Sequence, residues 1–182
     1  MILIALGSNL SGDFFHPADN VRFALNEMER NNIRIVQRSS LYVTRAFPNP
    51  EDPCFINAVV NIDTRLGPLD LLKFLQETEK KSGRERPYKN APRTLDIDIL
   101  DYKGMVKNFG NVLILPHPRM QMREFVMVPI AEIAPDWRHP VSDKTAQDYV
   151  QGYSNEKISS IKLYQENGDH ADDTDISSNA YA

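Results

Sequence analysis

The chain has 182 residues, 41% hydrophobic and 25% charged, which suits one globular domain with a sizeable core and excludes a disordered or fibrous chain. Its longest apolar runs, MILIAL from Met1 and FVMVPIA from Phe125, fall far short of the ~20 residues that span a bilayer, so no membrane partner is expected. The net charge of -4 comes from 21 Lys+Arg against 25 Asp+Glu, and the excess is terminal: residues 165–182 hold Glu166, Asp169, Asp172, Asp173 and Asp175 with no Lys or Arg, leaving 21 cations against 20 anions before them. Residues 1–164 are therefore expected as the folded domain and 165–182 as an acidic, flexible tail. One cysteine, Cys54, excludes an internal disulfide, and with no basic leader before the first apolar run the cytoplasm is the expected compartment.

In chain order, residues 2–6 read as a buried strand ending in the turn Gly7-Ser8-Asn9. Asp19 or Asn20 is placed to cap a first helix, with Val21, Leu25 and Met28 at helical spacing and Asn31-Asn32 at its end. Segments 33–44 and 55–64 are rich in β-branched and aromatic residues and read as two strands joined by a proline-rich loop. Pro68 suits the first turn of a second helix, with Leu71, Leu72 and Leu75 on one side and Gly83 as terminator. Residues 95–102 alternate with period two, setting Leu95, Ile97 and Ile99 against Asp96, Asp98 and Leu100, and read as a fourth strand. This β-α-β-β-α-β order is that of a ferredoxin-like α+β domain, with both helices on one face of an antiparallel sheet and the other face left available. C-terminal additions follow: the run VLIL from Val112, a short helix at 128–134 ending before Pro135, and another at 145–153.

The chemistry concentrates around Asp96-Ile97-Asp98. On a strand, side chains two apart share a face, so both carboxylates point the same way and suit a pair of Mg²⁺ ions ~3.5 to 4 Å apart, as phosphoryl chemistry uses. An isolated D-x-D is more often an ordinary exposed face. Here, however, Lys80, Lys81, Arg84, Arg86, Lys89 and Arg93 set six cations around Glu79 and Glu85 alone, and arginine forks hold phosphate oxygens bidentately. A solvated basic loop with Arg93 paired to Asp96 is the bland alternative. Among polyanions a nucleotide is favoured over nucleic acid, because no basic stripe is interleaved with aromatics. A third cluster, Pro116 to Phe125, places Arg119 and Arg123 at i and i+4 if helical, and its His117 suits either an anion or a backbone cap. The histidines His16, His117, His139 and His170 show no zinc spacing with one another or with Cys54. No G-x-x-x-x-G-K-[ST] run is present either, which excludes the usual P-loop.

Taken together, ALGSNL from Ala5, FINA from Phe55, GRERPYKNAPRTLDIDIL from Gly83, LPHPRM from Leu115 and REFVMVPIAEIAP from Arg123 closely resemble the 6-hydroxymethyl-7,8-dihydropterin pyrophosphokinases of folate synthesis. The resemblance runs in order from about Ile2 to Pro140 and leaves the tail outside. It implies a ferredoxin-like fold with extra elements, and a reaction in which the pterin hydroxymethyl oxygen attacks the β-phosphorus of ATP and AMP is released. It also implies Asp96 and Asp98 as ligands of two Mg²⁺ ions, and Arg84 and Arg93 as catalytic partners of the triphosphate. Glu79, Ile99, His117 and Arg123 complete the ATP site by the same likeness, with Ile99 near the adenine. The pterin falls to Asn57, to Thr44 with its adjoining backbone, to Asp96, and to Phe55 and Phe125 as the two sides of a ring sandwich. Loops 45–54 and 84–92 are expected to close over the ligands; the first departs from the family in carrying Pro48, Pro50 and Pro53. The implied partners are ATP and a reduced pterin, with no nucleic acid and no membrane, and the chain is expected as a monomer or weak dimer. Two alternatives stay open: a non-catalytic pterin- or nucleotide-binding paralogue, and a related kinase that transfers one phosphate or acts on a modified pterin.

Overall fold

The computed structural model describes residues 1–14, 16–85, 88 and 91–166. Its central sheet is antiparallel, in the order β5 (Asp96–Tyr102), β1 (Ile2–Ser8), β4 (Phe55–Asp63), β3 (Tyr42–Thr44), β8 (Lys162–Leu163), and β2 (Arg34–Arg38) pairs the far end of the nine-residue β4. The helices α1 (Pro17–Arg30) and α2 (Pro68–Lys81) cover one face. There Ile2, Ile4, Leu6, Val60 and Ile97 meet Val21, Leu25 and Met28 of α1 and Leu71 and Leu75 of α2. Each such buried side chain contributes about 1.5–3 kcal/mol.

The other face is not left open along its whole length. Leu3, Val59 and Leu100 are buried beneath α3 (Glu124–Ile133) and α4 (Ala146–Gln151), which contribute Val126, Met127, Ile130 and Ala146. The two helices of the βαββαβ unit share one face as expected, and what is corrected is the expectation of an open second face: the C-terminal additions close part of it, because the stripe Val126, Met127, Ile130 needs an apolar surface and the sheet supplies one. The short strands β6 (Lys107–Asn108) and β7 (Ile114–Leu115) pair as a separate hairpin. Finally α5 (Asn155–Ser159) leads into β8, where Tyr164 N donates to Leu41 O at 2.8 Å.

Several predicted boundaries move, each for a local reason. Strand β1 runs on through Gly7 and Ser8, which pair with Asn57 and Ile56 of β4. Helix α1 starts at Pro17 because His16 is its cap: His16 Nδ1 accepts from Ala18 N at 3.1 Å and Asp19 Oδ2 accepts from His16 N at 3.2 Å. Asp19 is thus the reciprocal partner, not the cap, and Asn20 is buried, donating to Leu10 O and Ser11 O. The predicted strand 33–44 breaks in two at Ser39, whose Oγ accepts from Val59 N. Helix α3 begins at Glu124, upstream of its predicted start, and contains Pro129. Helix α2 ends as predicted, with Ser82 as cap and Gly83 in the left-handed region at φ +74°. Among the described residues no helix is long and apolar enough to cross a membrane. Of the predicted tail, residues 167–182 lie outside the described residues.

A buried histidine, His139, is expected to make this fold sensitive to acid. His139 Nδ1 accepts from Val141 N at 3.2 Å and Ser142 N at 3.3 Å, its ring lies edge-on to Trp137 and Tyr149, and Asp101 is the nearby charge. Burial pushes its pKa below the ordinary histidine value, against the pull of Asp101. The unfolded chain therefore takes up this proton at a higher pH than the folded one, and stability present above pH ~6.5 falls as the pH drops toward the depressed pKa. Melting temperatures between pH 7.5 and 5.5 should fall more steeply for the native chain than for His139→Gln; equal slopes would assign the acid sensitivity elsewhere.

Candidate active site

The sheet register builds the site. Gly7 of β1 stands opposite Asn57 of β4 on one side and Asp96 of β5 on the other, and Ala5 stands opposite Asp98 in the same way. Directly paired residues share a face, so Asp96, Gly7 and Asn57 form one row, and Asp98 lies in the next. These rows continue the face that α3 and α4 cover, and the first turn of α3 forms one wall of the space above them. Gly7 and Ala5 keep the floor low: a Cβ on Gly7 would lie 3.1 Å from Asn57 Oδ1 and 3.7 Å from the Phe55 ring.

Around the two aspartates the acids and arginines interlock. Asp96 Oδ1 accepts from Arg84 Nη2 at 2.5 Å and its Oδ2 pairs with Arg93 Nη2 at 2.8 Å. The second guanidinium nitrogen of Arg84 pairs with Glu79, whose Oε1 also accepts from Ile97 N at 2.7 Å. Asp98 Oδ2 pairs with Arg123 Nη1 at 3.3 Å, with His117 Nε2 3.8 Å away. Two of these arginines also lie over aromatic rings, Arg93 over Phe55 at 5.1 Å and Arg123 over Phe125 at 5.7 Å. Burial pushes the Glu79 carboxyl above its ordinary pKa, while Arg84 and the Ile97 N–H pull it back.

The local sequence explains how these groups arrive. Glu79 lies in the last turns of α2, and the left-handed Gly83 reverses the chain so that Arg84 N returns to Glu79 O at 3.2 Å. Arg93 is held by its backbone, since its N–H donates to Asn9 Oδ1 at 2.8 Å and its carbonyl accepts from Asn9 N and Leu10 N. Asn9 Nδ2 meanwhile donates to Pro53 O at 3.0 Å. One side chain therefore ties the loop before β4 to the loop before β5, a positioning role that sequence reasoning missed: the ALGSNL run pointed at this turn without saying what it holds. Arg119 and Arg123 flank a 3-10 turn, Met120–Met122, not the α-helix that an i, i+4 pairing assumes. His117 Nδ1 accepts from Arg119 N at 3.3 Å, which leaves the proton of the neutral ring on Nε2, facing Asp98. Burial lowers the His117 pKa, helped by Arg123 and Arg119 and opposed by Asp98.

Two cavities meet at the aspartates. The first, about 510 Å³, is lined by Thr44, Phe55, Asn57 and Phe125, and also by Arg93 and Arg123. Within it Asn57 Nδ2 donates to Thr44 Oγ1 at 2.8 Å, which fixes the amide and leaves Oδ1 and one N–H unspent by that bond. The second, about 770 Å³, is lined by Glu79, Arg84, Ile99 and His117, and by Leu72 of α2 and Val112 to Ile114 of the β6–β7 hairpin. Both volumes suit small-molecule sites of about 300–1,000 Å³. Each residue to which the resemblance gives a metal, ATP or pterin role thus lines one cavity or the other, Asp96 and Asp98 line both, and Lys81 and Glu85 of the basic stretch line neither. Arg86, Pro87, Lys89 and Asn90 of the predicted closing loop 84–92 lie outside the described residues. Chemically, the arrangement offers a cavity with aromatic walls and a directional amide, a cleft with both apolar and charged walls, and between them oxygen donors among cations. Asp96 and Asp98 are the acidic pair that could hold a divalent cation, and no group of three or more His, Cys, Asp or Glu gathers for a metal among the described residues.

The tight floor is testable. Gly7→Ala should displace Asn57 Oδ1 by a few tenths of an ångström and weaken a ligand of the first cavity by about tenfold, the worth of one compromised hydrogen bond. Equilibrium titration of that cavity's ligand checks this, with affinity at the second cavity as the internal control.

The family profile described as 7,8-dihydro-6-hydroxymethylpterin-pyrophosphokinase matches residues 3–135. A 2-amino-4-hydroxy-6-hydroxymethyldihydropteridine pyrophosphokinase of Pseudomonas aeruginosa is 40% identical over 140 residues, covering 76% of this chain and 83% of the relative. Its counterpart in Synechocystis is 42% identical over 143 residues, covering 78% and 72%. Among solved structures, the Plasmodium falciparum HPPK-DHPS triple mutant superimposes with a TM-score of 0.67 at 14% identity, covering 89% of this chain but 47% of that one, and so speaks for the fold alone. On the strength of the profile and of these relatives, the chain belongs to the 7,8-dihydro-6-hydroxymethylpterin-pyrophosphokinase family.

Proposed function

We propose that this chain transfers the diphosphoryl group of ATP to the hydroxymethyl oxygen of 6-hydroxymethyl-7,8-dihydropterin, with release of AMP, as a step of folate synthesis. The observation that carries the reading is the meeting of two cavities at Asp96 and Asp98, because a transfer needs donor and acceptor side by side over one charged joint. The pterin would lie in the smaller cavity, its ring between Phe55 and Phe125 and its pyrimidinone edge on Asn57 and Thr44. The adenine would lie in the larger, against Ile99 and the apolar hairpin residues Val112 and Leu113.

In the transfer, a bond forms between the hydroxymethyl oxygen and the β-phosphorus while the bond from that phosphorus to the α,β-bridging oxygen breaks. The bridging oxygen leaves with AMP, and the hydroxyl proton passes to solvent. Arg84, Arg93 and Arg123 would exchange carboxylate oxygens for phosphate oxygens as the nucleotide enters, and their planar forks keep the reacting line fixed. Arg93 Nε finds no hydrogen-bond partner among the described residues, so a phosphate oxygen there fills an unmet donor. His117 Nε2–H would donate to the phosphate chain from a ring that burial keeps neutral. Asp96 and Asp98 fit Mg²⁺ as hard oxygen donors on one face, since Mg²⁺ takes one or two carboxylates and completes its shell with phosphate and water. Two such ions, when bound, supply charge neutralisation of the triphosphate and a lower pKa for the attacking hydroxyl.

The strand order β5-β1-β4-β3 with two crossing helices supports a ferredoxin-like core, and the pairing of β8 with β3 supports a domain that extends to Tyr164. To test the function, purified protein is incubated with ATP, Mg²⁺ and 6-hydroxymethyl-7,8-dihydropterin, and the products are identified by mass spectrometry. Pterin-dependent AMP with a diphosphorylated pterin is the expected result. ADP as the nucleotide product would mean a single-phosphate kinase, and ATP binding without turnover would mean a binding protein.

A further inference from the structure

Arg119 stands apart from the other cations of the site. Among the described residues, three line both cavities: Asp96, Asp98 and Arg119. Arg84 and His117 line only the nucleotide cleft, and Arg93 and Arg123 only the smaller cavity. The three acids Glu79, Asp96 and Asp98 are matched by Arg84, Arg93 and Arg123 in the ion pairs already described. The guanidinium of Arg119 has no ion pair or hydrogen bond among the described residues, and of the three described residues that line both cavities it alone is a cation. Its backbone is nevertheless fixed: the N–H is spent on His117 Nδ1 at 3.3 Å, and the next residue, Met120, is fully buried and anchors the turn. A rigid stem thus presents an exposed, unspent fork to both compartments.

We infer that Arg119 holds the diphosphoryl group on both sides of its transfer, gripping it first as part of ATP and then as part of the pterin ester. This rests on the diphosphotransferase reading above. The travelling group begins in one cavity and ends in the other, so cations confined to one side must hand it over. A cation reaching both keeps its contact throughout. It needs no exchange of carboxylate partners to do so, whereas Arg84, Arg93 and Arg123 must each release an acid. Arginine suits the task because its fork can pair with two phosphate oxygens at once, and lysine offers only a point charge.

Full-length protein carrying Arg119→Ala or Arg119→Lys tests the inference by equilibrium titration with two ligands: the pterin alcohol, which has no phosphate, and its diphosphate ester. For Arg119→Ala the ester should bind about tenfold to a hundredfold more weakly, the range for one lost charge-assisted contact, while the alcohol stays within about twofold. Arg119→Lys should restore part of the ester affinity and none of the bidentate contact. A merely structural role would weaken both ligands together and lower the melting temperature; that pattern, or an ester affinity equal to that of the native chain, overturns the inference. The titration needs no turnover, so it reads Arg119 separately from the question of whether AMP is formed.

Discussion

Asp98→Ala is expected to lower kcat by about a thousandfold or more, with Asp96→Ala at least as severe, which is the scale for removing a principal electrostatic element of a phosphoryl-transfer site. The two differ in what else they disturb. Asp96, with 20% of its side chain exposed, anchors both Arg84 and Arg93; without it those forks lose their resting geometry and two cations face each other across a gap. Asp98 is 37% exposed and holds Arg123 with His117 nearby, so its removal leaves less uncompensated charge. The Asp98 variant is therefore the cleaner probe. Its melting temperature should remain within about 4 °C of the native value, the shift that roughly 1 kcal/mol produces in a domain of this size. Near-native turnover at saturating Mg²⁺ would contradict the assignment of these carboxylates.

Asn57→Ala is expected to weaken the pterin by about a hundredfold and to leave ATP affinity unchanged, because a site built to hydrogen-bond its substrate discriminates sharply once that partner is gone. The amide is buried and held by Thr44 Oγ1 at 2.8 Å, and its Oδ1 lies over Gly7, so its direction is set before any ligand arrives. Thr44→Val should cost about tenfold, by releasing the amide to rotate without removing it. Separate titrations with nucleotide and pterin decide the matter. An equal loss for both ligands would place Asn57 in the scaffold of the site and not at its ring edge.

What could be read in advance follows the range of the physics. Period-two alternation in 95–102 is local, so the shared face of Asp96 and Asp98 was legible, as were Pro68 and Gly83 at the ends of α2. The row Asp96, Gly7, Asn57 was not, because it depends on register between strands distant in sequence, and nothing in ALGSNL alone says which residue Gly7 will face. The double clamp of Asn9 was hidden for the same reason. Arg119 and Arg123 were read on helical spacing, yet the segment folds as a 3-10 turn, and what unites them is the cavity they both line. The pair β8 and α5 escaped because elements of two and five residues carry too little periodicity to register. The family likeness supplied roles, such as the sandwich of Phe55 and Phe125, that neither spacing nor composition would assign to two phenylalanines.

The central claim is that the hydroxymethyl oxygen attacks the β-phosphorus where the two cavities meet. The most direct measurement uses ATP labelled with oxygen-18 at the bridge between the α- and β-phosphorus, followed by mass spectrometry of both products. The account predicts the label in AMP, since that oxygen is the leaving group. Label retained in the phosphorylated pterin would mean that the bond on the α side had broken, and would contradict it.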